Sequence, residues 1–133
     1  MLRIAIQTKG RLNEQSIALM REIGIDVDGA KRKFLSKATN FPIEVLYLRD
    51  DDIPQTVAIG AADIGIVGYN EVAEKGLEVN ILQKLGFGGC RLSLAIPKTE
   101  VYTGLEYFNG KRVATSYPEI LRKFFADNDI DAQ

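Results

Sequence analysis

Leu2-Arg3-Ile4-Ala5-Ile6-Gln7-Thr8-Lys9-Gly10-Arg11-Leu12 is the stretch on which the reading of this chain turns. Leu2 to Gln7 reads as a buried strand. Arg11 to Ile23 carries apolar residues at Leu12, Ile17, Leu19, Met20 and Ile23, the spacing of one helical face, and Gly24 is placed to stop that helix. Between them, Gly10 lets a ligand approach the backbone. The helix start offers free N–H groups and a positive dipole end, and Lys9 and Arg11 add two cations, a set suited to phosphate. The same residues also make an ordinary strand-to-helix turn with solvated charges. The turn is neither a Walker A loop nor a G-x-G-x-x-G fingerprint.

Outward from this turn, strands and helices alternate. Ile43 to Leu48 reads as a strand. Asp52 is a candidate cap and Pro54 a first-turn residue of a short helix running to Ile59 and ended by Gly60. Asp63 to Gly68 reads as a third strand, and Gly65 inside it implies the close approach of another group. Tyr69 to Lys75 reads as a helix stopped by Gly76. Val79 to Leu85, Arg91 to Ile96 and Arg112 to Thr115 read as further strands, and Pro118 to Asp127 as a last helix. This order predicts an α/β protein with a mostly parallel sheet.

Pro97 to Gly110 breaks the rhythm with proline, threonine, glycine and asparagine. We therefore expect a first α/β lobe over residues 1–97, a connection over 98–110, and the start of a second lobe over 111–133. One strand and one helix cannot bury a core, so the second lobe is expected to be truncated and the sequence to be the N-terminal part of a longer protein. Docking of that last unit onto the first lobe is the alternative.

Composition bounds the chemistry. The chain has 133 residues, 46% of them hydrophobic, and a net charge of −1, which suits one packed protein and argues against nucleic acid or a membrane surface as partner. It contains no histidine and one cysteine, Cys90. Ser-His and Cys-His nucleophiles, histidine-ligated metals and an intrachain disulfide are thereby excluded. The apolar start is too short for a secretory signal, so a cytoplasmic location is expected.

In an open parallel sheet, ligands gather beyond the carboxyl ends of strands. Besides Thr8 to Arg11, two segments fall there. Arg49-Asp50-Asp51-Asp52 could hold Mg²⁺ or a sugar hydroxyl, or could be an acid cluster favoured by a helix dipole. Gly86-Phe87-Gly88-Gly89-Cys90-Arg91 implies unusual backbone angles or close ligand approach. Cys90 reads as an inert thiol. Thr115, Ser116 and Tyr117 precede the last helix and read as caps or phosphate donors. Lys31-Arg32-Lys33 is a solvated face or a basic flap over an anion.

Five blocks in order then resemble the ATP phosphoribosyltransferases: Gln7 to Leu12, Leu48 to Pro54, Gly60 to Gly68, Gly88 to Pro97 and Gly110 to Pro118. The second and fourth are similar to the long, histidine-regulated form. The resemblance implies two α/β lobes like type II periplasmic binding proteins, with the active site in the cleft and the first lobe on its nucleotide side. It implies transfer of a phosphoribosyl group from phosphoribosyl pyrophosphate to N1 of ATP, with Mg²⁺, in the first step of histidine biosynthesis. It implies histidine as feedback inhibitor and a homo-oligomer, dimer or hexamer, for the full-length enzyme. It assigns Arg11 and Arg32 to catalysis, and Lys9, Gly10, Arg49, Asp63, Gly88, Gly89, Cys90 and Tyr117 to substrate binding. The family's phosphoribosyl pyrophosphate loop is not in this sequence, so the chain alone is expected to be an inactive or partial N-terminal fragment. A solute-binding module without catalysis and an assembly domain are the competing readings.

Overall fold

The computed structural model describes residues 1–27 and 34–133. Two compact units emerge, Met1–Gly89 and Cys90–Gln133.

In the first unit, β1 (Leu2–Gln7) leads into α1 (Arg11–Glu22). β2 (Leu35–Lys37) and β3 (Ile43–Leu48) follow, then a 3₁₀ turn (Asp50–Asp52), α2 (Ile53–Ala58), β4 (Ile64–Gly65) and α3 (Tyr69–Lys75). The sheet order is β2-β3-β1-β4. β1 runs parallel to β3, with Leu2 beside Ile43 and Gln7 beside Leu48, and parallel to β4, with Ile4 beside Ile64. The short β2 is antiparallel to β3, so the sheet is mixed at one edge.

Alternation along the strands decides which helix covers which face. Ile4 and Ile6 of β1 and Ile43, Val45 and Tyr47 of β3 pack with Ile17 and Met20 of α1. Ala5 and Leu46 point the other way and pack with Ile53 of α2 and Ala62. Ile6 and Ile53 are wholly buried. The N–H of Asp26 donates to Asn40 Oδ1 and Asn40 Nδ2 donates to the Gly24 carbonyl, both at 2.8 Å, tying the end of α1 to the turn before β3.

Several expectations are corrected. β2 was not anticipated, because three residues with one buried side chain carry no readable period. β4 covers only Ile64–Gly65 and is half-buried, rather than a strand over 63–68 buried on both faces. Asp52 makes no side-chain cap. The 3₁₀ turn runs directly into α2, so the Asp52 backbone is already helical and its carbonyl accepts from Thr56 Oγ1. Residues 79–85, 91–96 and 112–115 form no assigned strand, and among the described residues 91–96 make none of the backbone hydrogen bonds that a ladder requires.

The second unit is built around Phe108 and Phe125, both buried, with ring centroids 5.8 Å apart. Phe108 belongs to a 3₁₀ turn (Leu105–Phe108) and Phe125 to α4 (Pro118–Asp127). After α4 the chain reverses through Asp129, which has φ 57. It then returns beside the segment before the helix: Gly110 N–H donates to the Asp131 carbonyl, Gln133 N–H to Lys111, and Val113 N–H to Gln133, at 2.6–2.7 Å. That is the alternating pattern of a parallel pair. The segment before α4 thus has a backbone partner in residues 131–133.

Gly65 supports the sequence argument about close approach. A Cβ there would lie 2.7 Å from Ile53 Cγ2 and 3.0 Å from Val57 Cγ2, so α2 rests directly on β4. Gly65→Val should destabilise the first unit by about 1–3 kcal/mol through overpacking. Gly68→Ala, where nothing lies within 4 Å and the backbone is ordinary, should stay within about ±0.5 kcal/mol. Thermal unfolding of the two variants checks the contrast; equal melting temperatures would refute it.

Candidate functional site

Because β1, β3 and β4 are parallel, their carboxyl ends share one edge of the sheet. Thr8 to Arg11 leaves β1 there, Arg49 to Asp52 leaves β3, and Ile66 to Gly68 leaves β4. The Thr8 N–H donates to the Leu48 carbonyl at 2.8 Å, holding the β1 and β3 exits together one residue beyond the paired strands. Asn13 Nδ2 donates to the Gln7 carbonyl at 2.8 Å and braces the turn.

Gly10 is the N-cap of α1, with φ 91 and ψ −171 and no side-chain cap. Only glycine takes that backbone at ease. Its carbonyl accepts the first helical bond, from Glu14 N–H at 3.0 Å, so the turn opens straight into a twelve-residue helix. Lys9 and Arg11 are exposed, and among the described residues neither is engaged in an ion pair or hydrogen bond. Arg49 is 80% exposed, with Nε 3.4 Å from Asp51 Oδ1. Solvent screening makes such a contact worth little, so Arg49 is available to a competing anion. Gly88 reaches the same helix: a Cβ on it would lie 3.0 Å from Leu12 Cδ1 and 3.9 Å from Gln15 Oε1. Gln15 Oε1 is buried and accepts no bond among the described residues.

Other candidates lie elsewhere. Asp63 is at the amino end of β4. Its N–H donates to the Arg3 carbonyl and its Oδ2 accepts from the Arg3 N–H, both at 2.9 Å. At a rise of about 3.3 Å per residue, that is about 20 Å along the strand from Lys9. Asp63 therefore lies at the opposite edge of the sheet from the Lys9 to Arg11 turn. Gly89 ends the first unit. Cys90 opens the second and is exposed, with no disulfide. Tyr117 precedes α4, and its N–H donates to Thr115 Oγ1 at 2.9 Å, so the threonine hydroxyl braces the approach to that helix. Arg32 and its neighbours Lys31 and Lys33 lie outside the described residues.

The three aspartates after β3 do not converge. Asp50 Oδ1 accepts from the Asp51 N–H and Asp51 faces Arg49, and no group of three potential ligands forms a metal site among the described residues. The Mg²⁺-binding reading of this cluster finds no cage here. Sequence reasoning overlooked Tyr69, which is 66% exposed and starts α3 just beyond β4. The same carboxyl-end rule that selected Thr8 to Arg11 would have found it, had β4 been ended at Gly65.

In the second unit, Tyr107 Oη donates to Glu100 Oε2 at 2.6 Å, and Lys111 Nζ lies 4.9 Å from the Tyr107 ring centre. The bond to the Glu100 carboxylate raises the phenol above its ordinary value, with partial loss of solvent and the carboxylate charge adding to it. No helix of the described residues is long and apolar enough to cross a membrane.

A four-stranded, mostly parallel sheet with helices on both faces and exposed cations at its carboxyl edge defines the class as an open-sheet α/β protein. Comparison with known proteins narrows the class: the family model described as HisG, ATP phosphoribosyltransferase, matches residues 49–133. The chain belongs to the ATP phosphoribosyltransferase family. It is 58% identical over 133 residues to the ATP phosphoribosyltransferase of Bacteroides thetaiotaomicron and 58% identical over 132 residues to that of Parabacteroides distasonis, 100% and 99% of this chain. In both cases it covers 47% of the relative, so the chain spans about half the length of the curated relatives it matches. Its fold is similar to that of the ATP phosphoribosyl transferase (HisG:HisZ) complex from Thermotoga maritima, with TM-score 0.68 and 22% identity over 100% of this chain and 62% of that one.

The Tyr107–Glu100 bond makes a pH prediction. A raised phenol value favours the protonated form in the fold, so its stabilising contribution is complete below the ordinary tyrosine value near 10 and is lost as pH climbs through the folded value. Alkaline absorbance titration should show one tyrosine ionising later than the rest. Glu100→Gln should bring that late component down towards the others; an unchanged profile would discard the assignment.

Proposed function

We propose that this chain is the N-terminal part of an ATP phosphoribosyltransferase and that the carboxyl edge of its sheet binds the phosphates of the substrates. The observation that carries this reading is the set Lys9, Gly10 and Arg11: two uncommitted cations around an open helix start, with exposed Arg49 leaving the adjoining strand. Among the described residues Lys9 and Arg11 have no partner for an anion to displace, and Arg49 has only its solvent-screened contact with Asp51. The type II periplasmic-binding-like arrangement, with a second lobe needing further polypeptide, is part of the same reading.

In the proposed reaction, N1 of the adenine in ATP attacks the anomeric carbon of phosphoribosyl pyrophosphate. The bond from that carbon to the pyrophosphate oxygen breaks, and pyrophosphate leaves with the electron pair. Negative charge grows on the leaving group, and fixed cations stabilise a transition state where charge develops. We assign this role to Arg11, with Arg32 as a second cation on the strength of the sequence resemblance. Lys9, Arg49 and the Gly10 turn hold phosphate, and Gly88 and Gly89 keep the approach over α1 free of side chains. Cys90 and Tyr117 stay assigned to substrate contact in the complete protein. Mg²⁺ is assigned to the substrate phosphates rather than to a cage of this chain, as is usual for this ion. Histidine inhibition, the homo-oligomer and the cytoplasmic location belong to the family-length protein in this reading.

Calorimetric titration of the chain with ATP should show saturable binding, weakened about ten- to a hundredfold in Arg11→Ala, as expected for a lost charged hydrogen bond. In a family-length chain carrying this sequence, Arg11→Ala should cut turnover on the order of 10²-fold or more. A chain that ignores ATP and phosphoribosyl pyrophosphate but binds an amino acid or sugar would instead be a solute-binding module.

A further inference from the structure

Of the six asparagines, Asn109 alone precedes a glycine. The others precede Glu14, Phe41, Glu71, Ile81 and Asp129, whose side chains crowd the amide nitrogen that follows each asparagine. Asn109 and Gly110 are both exposed, yet one residue of the second unit holds them both. The Asp131 N–H donates to Asn109 Oδ1 at 2.8 Å, and the Gly110 N–H donates to the Asp131 carbonyl at 2.7 Å. Asp131 is brought there by the reversal after α4, where Asp129 has φ 57 and the Ile130 N–H donates to the carbonyl of buried Phe125 at 2.8 Å. Glycine suits position 110 because φ there is 72. The turn thus sets a glycine directly after an asparagine, the pair in which a backbone nitrogen most readily reaches a side-chain amide. Among the described residues Asn109 Nδ2 makes no hydrogen bond, so nothing holds the group that would leave.

We propose that Asn109 is a deamidation site gated by Asp131, closed while residues 130–133 hold their place and open when they leave it. In the reaction, hydroxide takes the Gly110 amide proton and the nitrogen bonds to Asn109 Cγ. The Cγ–Nδ2 bond breaks, and ammonia leaves after taking a proton from water. Water then opens the succinimide at either carbonyl, giving aspartate or isoaspartate. The fold opposes the first step in three ways. Ring closure needs the Gly110 nitrogen eclipsed with Asn109 Cβ about the Cα–C bond, which for an L-residue lies at negative ψ, whereas Asn109 has φ −59 and ψ 126. The Asp131 carbonyl holds the Gly110 proton on its nitrogen, and the Asp131 N–H holds the Asn109 side chain in place. Once formed, isoaspartate carries the main chain through Cβ and lengthens it by one bond, so Gly110 no longer meets Asp131 in the same register. Conversion is a one-way record that the turn has opened.

The test incubates the chain in mildly alkaline buffer and follows Asn109 by peptide mapping for aspartate and isoaspartate. Denaturing urea should speed conversion at least about tenfold over the folded chain, because a protected group reacts in proportion to the population of its open form. Asp131→Pro removes the N–H that holds Asn109 Oδ1 and leaves the carbonyl. It should speed conversion at least about tenfold in native buffer, with circular dichroism unchanged. Where that variant loses its helical signal, the parent decides alone: in sub-denaturing urea, conversion should rise in step with hydrogen exchange at the Gly110 amide. Asn109→Gln, whose longer side chain must close a larger ring, should abolish the acidic product. Four results overturn the proposal in the parent: conversion as fast when folded as in urea, no conversion in urea, a rate that stays flat while Gly110 exchange climbs, or another asparagine converting first. A well-folded Asp131→Pro that converts at the parent rate, or an acidic product that persists in Asn109→Gln, overturns it as well.

Discussion

The parallel pairing of β1 on both of its edges is the constraint from which the rest of the first unit follows. β3 takes six residues of one edge and β4 two of the other, so β1 has no freedom of register. Ala5 and Ile6 are wholly buried on opposite faces. A slip of one residue would exchange those faces and present Ile4 and Ile6 to α2 and Ala5 to α1, leaving one layer overfilled and the other hollow. Once register is fixed, three strand exits fall on one edge. The Lys9-Gly10-Arg11 turn and Arg49 lie on neighbouring strands because of it, not because of any contact between their side chains.

Where local and long-range signals agree, the sequence was readable. β1 with α1, β3, α2 behind Pro54, α3 before Gly76 and α4 behind Pro118 all show the period and the punctuation that their structures require. The glycine in β4 was correctly read as a place of close approach, although the partner, α2, could be named only from the packing. β2 was out of reach. Its one buried residue is Ser36, a polar side chain, and the strand exists because β3 offers it an edge. The position of Asp63 was out of reach for a related reason. Residue type made it a candidate for ligand contact, but only the register with Arg3 shows that it sits at the amino end of its strand.

Residues 91–96 carry the composition of a strand without the ladder of one, and 112–115 pair only at their start. Apolar alternation states what a segment can bury; the hydrogen bonds must come from a neighbour. In the second unit that neighbour is present only at 131–133, where three short bonds are made on one side of residues 110–113. The two buried phenylalanines hold the rest together, and the long apolar side chains of the extended run stay partly in water. Sequence pattern therefore overstates the order of this unit, and does so where backbone pairing is missing.

The two units differ in what they leave unsatisfied, and the difference has functional content. The first has a closed core and an open charge pattern: its apolar layers are filled, while Lys9 and Arg11 have no internal counter-ion among the described residues. The second engages some of its charges locally, with Glu100 on Tyr107 and Lys111 near the same ring, and leaves apolar side chains such as Leu92 and Phe124 partly in water. Unpaired cations at a strand-to-helix turn cost little in water and gain when a phosphate arrives. Open apolar surface is unfavourable in water at about 25 cal/mol per Å² and is relieved only by burial against something of matching shape. An anion relieves the first condition, and burial against a matching apolar surface relieves the second. The exposed chemistry of the first unit is thus charge at the β1–α1 turn, and that of the second is apolar surface.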